Sequence, residues 1–171
     1  MVILQRRVAG LSQETLDRFV LRARRAAGLR GAVNVLITSS AAVRALNRRF
    51  RAQDKATDVL SFPSLSPSRK EGKRLPLAGD IAISAEIAAR NAVPLKHSTA
   101  DEIKILILHG MLHLAGFDHE LDNGAMARQE LKLLRVLTLP AALIERAQPP
   151  LRIASKPSRD RVRSATARSK S

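Results

Sequence analysis

Cysteine is absent from the 171 residues, and disulfide frameworks, cysteine-ligated zinc and thiol nucleophiles are excluded with it. Tryptophan and tyrosine are missing too, and phenylalanine occurs four times. Any stacking on a nucleobase must therefore use Phe, His or Arg planes, which predicts weak sequence selectivity. The longest pure aliphatic runs last only a few residues, too short for a bilayer-spanning helix. The apolar start, MVILQRRVAG, is too short for a signal-peptide core and is interrupted by Arg6 and Arg7, so the chain reads as cytoplasmic. Acidic residues are few: 15 against 30 Lys+Arg, for a net charge of +15. That balance favours a polyanionic partner, either nucleic acid or an anionic membrane surface.

What is present suffices for one compact domain with a tail, since 45% of the chain is apolar. Val2 to Val8 reads as a strand. Ser12 is placed to cap a helix with apolar positions at Leu16, Phe19, Val20 and Ala23, which Gly28 closes. Ala32 to Ile37, Asp58 to Phe62 and Gly79 to Ile83 read as three further strands. Short helices follow Ser39-Ser40 and Ser84. Ser98 and Asp101 resemble a capping box, opening a helix to about Ala115 that is apolar almost all round and so belongs at the centre of the domain. A last helix runs from about Gly124 to Leu139, where Pro140 breaks it. These patterns predict an α/β (α+β) fold: a single domain with an about four-stranded mixed sheet packed with helices, and a central buried apolar helix. The domain is expected over residues 1–148. Residues 149–171 hold seven Lys/Arg, one acid and almost no large apolar side chains, which predicts a basic disordered tail. Pro63 to Pro76 reads as an exposed polar loop.

Three of the four histidines fall in one stretch, HGMLHLAGFDH. His109 and His113, four apart on a helix, project from the same face and can share a metal. Gly116 ends that helix and lets the chain reverse, so that His119 can return as a third ligand. Three imidazoles with a fourth position left to water make a catalytic rather than a closed structural zinc site. The same spacing occurs in metzincin proteases, which place Glu directly after the first His as general base. Here that residue is Gly110, which cannot take a proton, so the peptidase reading loses its base while the metal geometry survives.

Three blocks then become recognisable in order: NRRFRAQDKATDVLSFP (Asn47 to Pro63), GDIAIS (Gly79 to Ser84) and HGMLHLAGFDH (His109 to His119). Together they resemble the YbeY family of metal-dependent endoribonucleases, which act in ribosomal RNA maturation and ribosome quality control. With the intervening elements the resemblance extends over about Met1 to Leu139; the basic tail and the polar insertion depart from it. It implies that His109, His113 and His119 bind one Zn2+ per chain, and that Arg51 acts on the RNA beside the metal, with Arg51 and His109 as catalytic residues. It also implies single-stranded RNA, ribosomal RNA and the small ribosomal subunit as partners, the small-subunit rRNA 3′ end as the region matured, and no membrane. A guanidinium suits the role, because it stays charged and grips phosphate oxygens with a planar fork.

Other residues carry double readings. Asp58 either begins a strand or orients a ligand histidine as a carboxylate behind it, and Asp118 either forms a turn or does the same. His97 reads as an exposed loop histidine. Phe62 and Phe117 read as core, with Phe117 near enough to the metal to stack on a base. In the absence of a Glu base, the metal is expected to acidify its own water; attack by the substrate's 2′-hydroxyl is the alternative, and both stay open. Basic clusters at Arg22, Arg24 and Arg25, at Arg48, Arg49 and Arg51, and at Arg69, Lys70, Lys73 and Arg74 match a phosphate-tracking surface together with the tail. Two other classes compete with the nuclease: a metallopeptidase-like zinc hydrolase, and a non-catalytic ribosome assembly factor with a structural metal.

Overall fold

The computed structural model describes residues 1–64, 76–118 and 122–140. Nine elements follow in order: β1 (Val2–Leu4), α1 (Gln13–Ala26), β2 (Ala32–Thr38), α2 (Ser40–Arg51), β3 (Val59–Pro63), β4 (Leu77–Ser84), α3 (Ala85–Ala92), α4 (Thr99–Leu114) and α5 (Ala125–Leu137). The strands form one mixed sheet in the order β1-β2-β4-β3. β1 and β4 both run parallel to β2, and β3 runs antiparallel to β4. The loop read between Pro63 and Pro76 and the basic tail fall largely or wholly outside the described residues.

Alternation in the strands sorts their side chains between two faces. Val33, Val35 and Ile37 of β2 are buried beside Ile81 and Ile83 of β4, with Val35 opposite Ile81 and Ile37 opposite Ile83. On this face lies α4, buried at Ile103, Ile105, Leu106, Ile107, Leu108, Met111 and Leu112, and touching α1, α3, α5, β3 and β4. A helix with neighbours on so many sides must be apolar around its circumference, as this one is.

Capping residues sit where the helices begin. Ser12, Ser39, Ser84 and Ser98 each accept a hydrogen bond from a backbone N–H of the first turn. At α4 the Asp101 side chain accepts from the Ser98 hydroxyl at 2.7 Å rather than from its backbone, so the expected box closes through side chains. Asp122 caps α5, accepting from the N–H of Gly124 and of Met126.

Three expectations need correction. Phe62 is not core: it is only partly buried and stands edge to face with exposed Phe50 on the other side of the sheet. β1 stops at Leu4 rather than Val8; beyond it Arg6 pairs with Glu86 at 2.7 Å and Val8 bridges to Leu11. His97 is not exposed: its side chain is 4% accessible and lies 2.8 Å from Glu102, which is fully buried. Glu86 is a junction. Burial would raise its carboxyl, but the Ser40 N–H and hydroxyl and the Arg6 guanidinium hold it down at about 2. One carboxylate thereby ties the end of β1 to the starts of α2 and α3.

Candidate metal centre

Near its C-terminal end, α4 carries His109 and His113 on one face, with the Nε2 atoms of the two rings 3.1 Å apart. The opposite nitrogen of each ring is tied down. His113 Nδ1 lies 3.1 Å from the Phe117 carbonyl, which can only accept, so this nitrogen carries the proton. His109 Nδ1 lies 3.0 Å from Glu130 Oε1, and a carboxylate likewise demands a donor. With each Nδ1 donating, the Nε2 atoms are the nitrogens turned to the cleft, the ones through which an imidazole oriented from behind binds a metal. Two nitrogens bound tetrahedrally to one zinc at about 2.0–2.1 Å would stand about 3.3 Å apart, close to the spacing here. These two imidazoles are of the type zinc takes, which needs at least one further protein ligand to complete a site.

The helix terminator contributes to this geometry. Gly116 adopts φ +93, and its N–H donates to His113 O while the Phe117 N–H donates to Leu112 O. That is the double bond pattern of a Schellman ending, which needs a left-handed residue at this point. It swings the Phe117 carbonyl under the His113 ring. Phe117 packs partly buried against the core, as expected for the residue after such a cap. His119, the third expected ligand, lies outside the described residues. Among the described residues no group of three or more His, Cys, Asp or Glu that could hold a metal is found.

Glu130 was not singled out from the sequence. It lies on α5, 21 residues from His109, and is 5% exposed. The available signal was a break in pattern: Met126, Leu133, Leu134 and Leu137 form the buried stripe of α5, and Glu130 falls inside it. An acid in such a stripe requires a partner. The described bonds of Asp58 go to the Val59 N–H, the Thr57 hydroxyl and the Asn91 amide.

His109 and His113 open onto a cleft of about 610 Å³ that Arg51, Thr57, Asp58, Ser61 and Asp118 also line. Arg51 is the last residue of α2, and its guanidinium donates to the Ser61 carbonyl of β3 at 3.1 Å. Buried Asn47 braces the turn that follows, its amide donating to Lys55 O at 2.8 Å. Helix α2 and the C-terminal part of α4 thus deliver an arginine and two imidazoles to one cleft. Gly110 packs against the sheet instead: a Cβ there would lie 2.9 Å from Ser61 Oγ and 3.0 Å from Ile81 Cδ1. At the position that a metzincin gives to its glutamate, any side chain would have to displace Ser61 or Ile81.

The basic clusters divide. Arg24 is partly buried and donates to the Gly31 carbonyl at 2.6 Å, which makes it a structural arginine. Arg48 and Arg49 are exposed beside Arg51, while the Arg69 to Arg74 cluster lies outside the described residues.

Comparison with known proteins agrees with the three sequence blocks. The family model described as "Endoribonuclease YbeY" matches residues 3–138. Endoribonuclease YbeY of Koribacter versatilis is 53% identical over 156 residues, covering 91% of this chain and 97% of that protein. The Solibacter usitatus protein of the same name is 43% identical over 147 residues, with 86% and 94% covered. The solution structure of TM1509 from Thermotoga maritima superposes with a TM-score of 0.53 at 25% identity, over 80% of this chain and 89% of that one. A family match along most of the described fold, and relatives aligned over nearly their full length, establish that this chain belongs to the YbeY family.

Proposed function

We propose that the protein is a zinc-dependent endoribonuclease that cuts single-stranded RNA, acting in the cytoplasm on ribosomal RNA near the 3′ end of the small-subunit species and in ribosome quality control. The observation that carries this reading is the pair of converging imidazole nitrogens, each ring oriented from behind, in the same cleft as an arginine. His109, His113 and His119 would hold the ion. When bound, zinc supplies Lewis acidity at neutral pH.

The chain's own residues do the rest. Arg51, braced on the Ser61 carbonyl, keeps its charge at any working pH and binds the non-bridging oxygens of the scissile phosphate. Negative charge grows on those oxygens in the transition state, so a fixed guanidinium stabilises that state more than the ground state. Glu130 and the Phe117 carbonyl hold the two rings in one tautomer and orientation. Both the water and the 2′-hydroxyl nucleophile fit this arrangement, and their products differ: a 5′-phosphate for the first, a 2′,3′-cyclic phosphate for the second.

End-labelled single- and double-stranded RNA incubated with zinc-loaded protein tests the reading. The single strand should be cut, and a His113→Ala variant purified in parallel should lose at least 100-fold of the rate, about 2.7 kcal/mol of transition-state stabilisation. Equal cutting by both preparations would assign the activity to a contaminant. Protein that binds zinc and RNA but never cuts would favour the assembly-factor reading.

A further inference from the structure

The face of the sheet away from α4 is only partly covered by α2, and it leaves an apolar groove of about 580 Å³. Phe50 and Phe62 form one wall, their rings edge to face with centroids 5.3 Å apart. Phe50 is 58% exposed, a costly placement for one of four aromatic residues in the chain. The Arg49 guanidinium lies over its ring, 5.2 Å from the centroid, and Arg48, Arg49 and Arg51 crowd the last turn of α2. On the floor, the Asn34 amide donates to the Asp80 carboxylate at 2.9 Å. Pro63 lines both this groove and the catalytic cleft, so the two adjoin at the end of β3.

We infer that this groove is a stacking subsite for an unpaired nucleobase of the RNA strand, next to the phosphate that Arg51 holds. The inference rests on the ribonuclease reading above and names how that site extends. Each part suits a nucleotide. An aromatic ring and a guanidinium plane accept the flat face of any base. A carboxylate and an amide on the floor repel phosphate but pair with exocyclic amino and ring N–H groups. The cations stand at the rim beside the cleft, where the sugar–phosphate backbone must pass. An apolar peptide or acyl chain would leave the Asp80 carboxylate buried under it without gain. Double-stranded RNA keeps its bases stacked on each other and has none to offer.

Binding of a short fluorescent 2′-O-methyl single strand to the full-length zinc-loaded protein, followed by anisotropy at several salt concentrations, tests this. Phe50→Ala should weaken binding on the order of ten-fold, the size of one base–aromatic stack. The dependence of affinity on salt should stay parallel to wild type, because no charge is removed. Phe50→Tyr keeps the ring and should restore affinity. An abasic residue walked along the strand should cost wild type a similar factor at one position and cost Phe50→Ala nothing there. Equal affinity of wild type and Phe50→Ala, or abasic profiles that coincide in the two proteins, would overturn the subsite. So would a loss of self-association in Phe50→Ala, which would give the groove to a second copy of the chain. Failure of the ribonuclease reading looks different: no cutting of RNA, while binding still depends on Phe50.

Discussion

Glu130 is the residue that orients the proposed metal centre from behind, through its bond to His109. A carboxylate buried to this degree survives only because the His109 Nδ1–H satisfies it. In return it fixes which ring nitrogen faces the cleft. Glu130→Gln preserves the shape but removes the charge, and its amide can present either an acceptor or a donor to the ring. The variant is expected to bind zinc about 10–100-fold more weakly, as read by competition with a chromophoric chelator; wild-type affinity would show that the carboxylate is only a core filler. His109 and His113 were legible from their spacing alone, because the pitch of one helix sets their relation. Glu130 was not, because its partnership depends on how two helices pack. His97 misled for the same reason, since its burial against Glu102 is invisible to a local reading.

Among the elements, α4 decides the most. Its N-terminal turns are held in the core and its last two turns carry both imidazoles, so displacing the helix displaces the site. At Gly110 the helix meets the sheet closely: an added Cβ would stand 2.9 Å from Ser61 Oγ and 3.0 Å from Ile81 Cδ1. Gly110→Glu places a longer and charged group against that surface, and it should destabilise the fold by about 3 kcal/mol or more. Denaturant titration of the zinc-free variant checks this, and a wild-type midpoint would refute the close packing. Element positions were legible because serine caps, glycine stops and apolar periods are local signals. The limits of β1 were not, since where it leaves the sheet is set by its pairing with β2, a distant segment whose register ends at Leu4 and Ile37.

For the whole molecule the dominant quantity is the net charge of +15, which acts beyond any single pair of groups. Part of it is neutralised locally: Arg44 pairs with Asp54 at 2.7 Å and Arg6 with Glu86. Residues 149–171 carry seven Lys/Arg with one acid, and we propose that they bind RNA phosphates outside the cleft. A chain ending at residue 148 should bind single-stranded RNA more weakly and with a shallower salt dependence, by about 0.7 in slope for each phosphate that the tail would otherwise neutralise. Cleavage of short strands should persist, and an unchanged slope would show that the tail does not engage RNA. At this scale the sequence by itself determined composition, charge, the identities of the helices and strands, and three family blocks in order, because each is a local or additive property of the chain. Only the tertiary structure decided that β4 lies between β2 and β3, that Arg51 shares a cleft with His109 and His113, and that a glutamate from α5 sits behind the His109 ring. Those facts depend on the packing of residues far apart in the chain, whose energies are not written in any one segment.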